Sequence, residues 1–533
     1  LLPNLVGIET ALRVIVGDAL RNRTLQGPEA LRLGIADAGF GAARFLEESI
    51  AWAGRVTAGT LRVRRPHRPG RLGRAVTWDA AVGVARRELT RSIGPVPKAP
   101  YEALELVKAA KSGSREAGFA REDAVLARLI RSEQFRASRY AFSLLHGRAR
   151  RPAGVADPAA ARPITKLGIV GAGLMASQIA ALALYRLQVP VVVSDVDEEH
   201  VAAGLARIRA TLAGLRERGR LDDDRLQRLV QAVTGTVDPA GFVGCDWVTE
   251  AVFEDLEAKR TALSRVEAYL DDEAILATNT SSLSVTQIAA GLARPERLVG
   301  FHFFNPVSRM PLVEVVPGAA TSQAAVATAA ALAGALRKTV IVTRDTTGFV
   351  VNRVLARFLS EVLGAVGSGT PLERVDRALQ PIGLPMAPSM LLELVGLPVA
   401  AHVLAVHHEA FPARYQASER LARLAEHGRL YGRDDKGRPT TLDAKAAASL
   451  QGRGRARRPE RILGDVQLAL ADEIHRMLED RVVDAVEDID LGLLLGAGWP
   501  MHTGGVTPYL DRVGASRRAF GGLFHDVGPG LPV

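Results

Sequence analysis

Between residues 166 and 345 short apolar runs alternate with segments of helical periodicity, and the first run ends in a glycine-rich turn. The runs are LGIVG from Leu167, VVVSD from Val191, WVTEAV from Trp247, AILATNT from Ala274, LVGFHFF from Leu298, LVEVV from Leu312 and TVIVT from Thr339. Strands separated by helix-length stretches predict a parallel sheet with helices on both faces. This is the strongest constraint on the fold.

The glycine turn lies in KLGIVGAGLMASQIA, residues 166–180, as Gly171-x-Gly173-x-x-Ala176. Gly171 allows a tight turn, Gly173 lets the backbone approach a pyrophosphate, and Ala176 stands where a small residue permits close helix–strand packing. The helix that follows offers free N–H groups and a partial positive charge to phosphates. Asp195 ends the next strand, about 20 residues on, where a carboxylate accepts from ribose hydroxyls and repels a 2′-phosphate, favouring NAD over NADP. A glycine turn in some other α/β protein is the competing reading.

Three further stretches combine polar groups with strand ends. TEAVFEDLEAKR, residues 249–260, places Glu250 at a strand end and Glu254 and Lys259 in the next helix; on spacing alone it reads equally as a solvated helix start. ATNTSSLSV, residues 277–285, stops a strand at hydroxyl and amide side chains, either a helix cap or a ligand site beyond a strand's carboxyl end. VGFHFFNPVSRMPLVEVV, residues 299–316, puts His302, Asn305 and Glu314 in two apolar strands around an Asn-Pro turn. A lone histidine there is usually a core residue. A carboxylate on the neighbouring strand changes that: it fixes the tautomer, and the second ring nitrogen becomes a general base.

The chain of 533 residues is too long for one core, so several domains are expected. Its apolar fraction of 47% and charged fraction of 24% are ordinary for a globular protein. No apolar run is long enough for a transmembrane helix, and no secretory signal is visible. One cysteine, Cys245, excludes an internal disulfide and suits a reducing cytoplasm. The formal net charge of +10 suits anionic ligands, but the basic clusters at 62–71 and 453–461 carry Pro and Gly and no interleaved aromatics. They read as linkers, and nucleic-acid binding is not supported. Residues 1–150 and those after Gly348 read as helical. IGLPMAPSMLLELVG, residues 382–396, resembles AGWPMHTGGVTPYLDRVG, residues 497–514, so a helical unit is expected twice, each copy covering the other.

Taken together, GFHFFNPV…MPLVEVV, NTSSLS and TGFVVNR (residues 347–353) resemble the 3-hydroxyacyl-CoA dehydrogenase family, and the resemblance covers nearly the whole chain. It is closest to the multifunctional members of fatty-acid β-oxidation, in which a crotonase-type enoyl-CoA hydratase domain precedes the dehydrogenase. The resemblance implies His302 as catalytic base, Glu314 as its partner, Ser281 and Asn352 as catalytic and substrate-binding residues, and Asn305 as a further substrate contact. It also implies Glu254 and Lys259 beside the cofactor, joining Gly171, Gly173, Ala176 and Asp195, with no metal.

The implied layout is a crotonase remnant at 1–97, a helical linker at 98–162, a Rossmann-type NAD-binding domain at 163–345, a helical dehydrogenase domain at 346–452 and its second copy at 460–533. The implied activity is oxidation of (3S)-hydroxyacyl-CoA to 3-oxoacyl-CoA with NAD. Acyl-CoA is the expected substrate and a thiolase subunit an expected partner. A homo-oligomer is possible on this reading, an integral membrane contact is not expected, and the location is cytoplasmic. The rivals are a scaffold that binds acyl-CoA or NAD without catalysis and a hydroxy-acid dehydrogenase that does not use CoA.

There are departures from the family pattern. Thr347 replaces the usual proline before Gly348, Ala387 and Ser389 replace the usual glycine and phenylalanine, and YGRDDKGRP at 431–439 matches only in part. The chain begins at Leu1, which reads as a fragment of a longer polypeptide. The two hydratase glutamates and the oxyanion-hole glycine would lie upstream, so hydration is expected only of the full-length protein.

Overall fold

The computed structural model describes residues 1–63, 71–435 and 437–525. Most of the basic stretch at 62–71 lies outside the described residues. The chain divides into two compact units, Leu1–Arg136 with Pro381–Pro385, and Ala137–Gln380 with Met386–Val533.

The first unit is helical, as expected. Ile8, Leu12, Val16, Val82, Leu89, Leu104 and Val107 pack around Trp78, whose indole N–H donates to the Val107 carbonyl at 3.2 Å. It supplies none of the candidate site residues.

The second unit is built on eight strands: β1 (Leu167–Val170), β2 (Val191–Ser194), β3 (Val233–Thr236), β4 (Trp247–Glu250), β5 (Ile275–Thr278), β6 (Leu298–Phe303), β7 (Leu312–Pro317) and β8 (Thr339–Val342). Their order across the sheet is β3-β2-β1-β4-β5-β6-β7-β8. The order reverses at β1, which pairs with both β2 and β4, so the loops after β1 and β4 diverge and open a crevice at the carboxyl edge. The first six strands are parallel, but β6 and β7 form an antiparallel pair and β8 follows β7. The expected parallel sheet ends there, because the connection at 304–311, which contains Asn305-Pro306, returns β6 to β7 with no crossover helix. The edge strand β3 was not expected either. Its sequence, VTGT, is half-exposed and has no apolar run to announce it.

The helices used below are α1 (Leu174–Leu187), α2 (Glu198–Glu217), α3 (Leu256–Glu267), α4 (Gln323–Ala335), α5 (Val351–Gly367), α6 (Leu372–Leu379), α7 (Pro388–Val395), α8 (Leu397–Ala410), α9 (Pro459–Glu479), α10 (Val486–Gly496) and α11 (Val506–Arg512). Side chains alternate across a strand. Ile169, Val193, Ile275, Phe301 and Val315 therefore share one core with Ile179 of α1 and Ala329 of α4. Val170, Val248, Leu276, Leu298 and Val316 share the other with Leu263 of α3 and Phe349. The two cores lie on opposite faces of one doubly wound sheet.

After β8 the chain is helical but for a short hairpin of β9 (Tyr431–Arg433) and β10 (Pro439–Leu442). The repeat seen in the sequence has a physical signature. Asp376 of α6 accepts from the N–H and hydroxyl of Ser389 in α7, at 3.1 and 2.5 Å. In the second copy Asp490 of α10 accepts from the N–H and hydroxyl of Thr507 in α11, at 2.9 and 2.6 Å. Ser389, one of the departures from the family pattern, thus performs in the first copy what Thr507 performs in the second. The Tyr431 hydroxyl lies 2.8 Å from the same serine.

Among the described residues no single helix is long and apolar enough to cross a membrane. The bent pair α7–α8 has the composition for it, yet it buries Leu392, Leu397 and Leu404, and its buried Glu393 pairs with Arg433 at 2.7 Å.

Candidate active site

On four neighbouring strands the second core face turns polar near the carboxyl edge of the parallel strands. Glu250 on β4 is in register with Thr278 on β5, and His302 on β6 with Glu314 on β7. By strand parity all four point to the face that carries α3 and the start of α5. Each is buried. Such a band is costly unless every group is partnered, since an unpaired buried polar group costs kilocalories.

The partners are present. Glu314 Oε2 lies 2.6 Å from His302 Nδ1. Glu314 Oε1 accepts from the backbone N–H groups of Val350 and Val351, at 3.2 and 3.0 Å, which open α5. A helix N-terminus stabilises a carboxylate. The carboxylate is therefore held in one orientation, with Nδ1 donating to it. That leaves Nε2 as the imidazole's accepting nitrogen. The rings of Phe304 and Phe349 stand 4.6 and 5.8 Å from the imidazole and restrict water around it.

A second network lies beside the first. The Lys259 ammonium donates to both oxygens of Glu250, at 3.0 and 3.1 Å, and reaches Glu254 Oε2 at 3.2 Å. The Thr278 hydroxyl also donates to Glu250. Glu254 Oε1 accepts from the Thr280 hydroxyl and the Ser281 N–H, both at 2.7 Å, and from the Ser281 hydroxyl at 3.1 Å. Burial alone would raise the Glu254 carboxyl, but Lys259 beside it and these donors bring it down to about 2. Lys259 is enclosed by the two glutamates, so in this arrangement it acts on a ligand through Glu254. The stretch 249–260 is therefore no solvated face, and Glu254, expected in the helix, stands in the loop before α3, whose N-cap is Asp255.

Asn352, in the first turn of α5, directs its amide at the Ser281 carbonyl at 3.5 Å, a marginal contact that joins the NTSS loop to the dyad's helix. Asn305 stands in the cis turn between β6 and β7 and accepts from Gln178 of α1 at 3.3 Å. Gln178 in turn accepts from the Val307 N–H at 2.7 Å. Gln178 and Asn279, which accepts from the Phe303 N–H at 2.9 Å, tie the histidine strand to its neighbours. Sequence reasoning passed over both. Gln178 is a polar residue on an apolar helix, and Asn279 sits in ATNTSSLSV among hydroxyl side chains from which spacing does not distinguish it.

At the other end of the edge, Gly171 has φ +102°, and a Cβ there would lie 2.7 Å from the Ala251 carbonyl oxygen. Only glycine fits. Around Gly173, the N-cap of α1, a Cβ would meet nothing within 4 Å, and no side chain caps the helix. The turn is thus open to a ligand where the helix amides point, and Ala176 is fully buried beneath it. Asp195 Oδ2 accepts from the Ala172 N–H at 2.6 Å and Oδ1 from the Val196 N–H at 2.7 Å. Arg207 of α2 donates to the Ala172 carbonyl at 2.6 Å. Both ends of the Ala172 residue are clamped, and each Asp195 oxygen keeps a lone pair for a ribose hydroxyl. These residues fit the phosphates and ribose of a dinucleotide.

Residues 166–346 match the family 3-hydroxyacyl-CoA dehydrogenase, NAD binding domain, and residues 348–438 match 3-hydroxyacyl-CoA dehydrogenase, C-terminal domain. The chain is 32% identical to FadB2 of M. tuberculosis, over 55% of this chain and 99% of that one, with a TM-score of 0.49. It is 30% identical to (S)-3-hydroxybutyryl-CoA dehydrogenase PaaH1 from Ralstonia eutropha, over 50% and 94%, with a TM-score of 0.47. The 3-hydroxybutyryl-CoA dehydrogenase from Escherichia coli, at 23% identity over 67% and 98%, has a TM-score of 0.55 and shares the fold.

Proposed function

The chain belongs to the 3-hydroxyacyl-CoA dehydrogenase family, and we propose that it oxidises (3S)-hydroxyacyl-CoA to 3-oxoacyl-CoA with NAD as cofactor. The observation that carries this reading is the His302–Glu314 contact of 2.6 Å, buried and held by the α5 amides. His302 Nε2 takes the proton of the substrate's 3-hydroxyl while the hydrogen on the same carbon leaves with its electron pair. NAD supplies the acceptor for that hydride. Glu314 keeps Nδ1 protonated and stabilises the imidazolium that forms.

Ser281 and Asn352 lie on the dyad's side of the sheet and would hydrogen-bond the substrate oxygens. Ser281 has its hydroxyl within reach of Glu254, so toward the substrate it serves mainly as an acceptor. Asn352 supplies the donor for charge that develops on the thioester side. Asp195, Gly171, Gly173, Glu254 and, through Glu254, Lys259 would hold the cofactor.

A wider reading is that this dehydrogenase forms part of a multifunctional β-oxidation protein, with residues 1–97 the end of a crotonase domain and a thiolase as partner. The sequence likeness of those residues supports it. His302→Ala tests the assigned base. Turnover should fall by about 10²–10⁴ with NADH affinity preserved, and unchanged turnover would remove His302 from the role.

A further inference from the structure

We propose that Glu473, on α9 of the second helical copy, is a positioning residue for the His302–Glu314 dyad; the inference rests on the dehydrogenase reading above. Four successive residues at the start of α5 carry separate tasks. Val350 and Val351 donate their N–H groups to Glu314, Asn352 reaches the NTSS loop, and Arg353 turns away toward α9. The turn before them is seated by the buried Phe349 ring and by the Phe349 N–H, which donates to the Thr346 carbonyl at 3.1 Å. No ion pair other than that of Arg353 ties the first turn of α5 to another helix among the described residues. Gly348 and Phe349 both have positive φ, +75° and +50°, and no side chain caps the helix.

Arg353 is the anchor. Its side chain is fully buried, and a guanidinium does not lose its proton, so its position is dictated by its carboxylate. Arg353 Nε lies 2.6 Å from Glu473 Oε1, and Glu473 is itself fully buried. Arg414 donates to both Glu473 oxygens at 3.0 Å. The two guanidinium groups lie 4.7 and 4.3 Å from the centroid of the Phe411 ring. The Tyr415 hydroxyl donates to the Arg353 carbonyl at 3.1 Å. Asp480, the other acid on Arg353, is 3.3 Å away and half-exposed, a weaker hold. Glu473 thus sets where α5 begins, and with it the amides that orient Glu314. It lies beyond residue 438, where the match to the C-terminal domain ends, so the second copy contributes to the geometry of a dyad carried on β6 and β7.

The test uses the full chain and two variants, Glu473→Gln and the double variant Arg353→Met/Glu473→Met, which removes the buried charges of the pair together. Reduction of acetoacetyl-CoA gives kcat, and fluorescence titration gives the dissociation constant for NADH. Folding is checked by circular dichroism. The expected result is a fall in kcat of about tenfold or more in both variants, with NADH affinity within about twofold of the parent. A folded variant of either kind that keeps kcat within about twofold overturns the proposal. Recovery of kcat in the double variant would mean that the pair serves folding alone, and failure of both variants to fold counts against the proposal in the same way. An inactive parent chain would instead overturn the dehydrogenase reading itself.

Discussion

Replacing Glu314 by glutamine should invert the dyad, and the structure says why. The two carboxylate oxygens face different partners: Oε1 faces two N–H donors, from Val350 and Val351, and Oε2 faces His302 Nδ1. Glutamine has one accepting oxygen and one donating nitrogen. Its oxygen must face the two amides, because the opposite placement would leave two buried N–H groups facing a third donor. Each such unsatisfied group costs about 1–3 kcal/mol. The bias is therefore about 2–6 kcal/mol, or roughly 30-fold to 10⁴-fold at about 1.4 kcal/mol per factor of ten. With its nitrogen toward His302, glutamine requires Nδ1 to accept. The imidazole proton then sits on Nε2, the position that must take the substrate's proton. Oxidation of 3-hydroxybutyryl-CoA, followed at the NADH absorbance band, should lose about 10²–10⁴ in kcat. The NADH dissociation constant should stay close to that of the parent. A folded variant with kcat within about tenfold of the parent would refute the tautomer argument.

The remaining predictions concern the cofactor turn and acid stability. Gly171→Ala must adopt φ near +102° and bring a Cβ to 2.7 Å from the Ala251 carbonyl, so it should cost more than about 1–2 kcal/mol and abolish NADH binding, as read by thermal unfolding and fluorescence. Asp195→Ala removes the acceptor for the Ala172 N–H and should weaken NADH binding about tenfold or more without improving NADPH binding, as competitive titration would show. Glu254 has a carboxyl lowered to about 2, so it contributes stability above the unfolded value near 4.5. That contribution, roughly 3 kcal/mol, is lost as pH falls from 4.5 toward 2, and Glu254→Gln should flatten denaturant midpoints over that window.

His407 works at milder pH. Burial holds it below its ordinary 6.5, and its Nε2 is buried with no hydrogen-bond partner among the described residues. Its neutral form is the folded one, so stability is full above 6.5 and declines as pH falls below it. His407→Leu should remove that decline in urea titrations near pH 5.

The sheet was legible because buried strands are continuous apolar runs, and the interruptions in those runs are the site. Glu250, His302 and Glu314 stand out for that reason. What spacing could not decide was depth. The stretch 249–260 read equally as a solvated helix start, and only the fold shows Lys259 enclosed between two carboxylates. The antiparallel β6–β7 pair was implicit in the Asn305-Pro306 turn, whereas VTGT at β3 lacks the apolar run that marks a buried strand. Positioning residues such as Gln178, Arg207 and Glu473 act on partners 30 to 129 residues away in the sequence, and no local pattern signals them.

The most direct test of the central claim is the NADH absorbance of the purified chain mixed with acetoacetyl-CoA, with free acetoacetate as control. The account predicts oxidation of NADH with the CoA ester and none with the free acid. Equal rates with both would contradict a CoA-dependent reaction and favour a hydroxy-acid dehydrogenase. No oxidation by a folded chain that binds NADH would contradict the dehydrogenase reading and leave a binding scaffold.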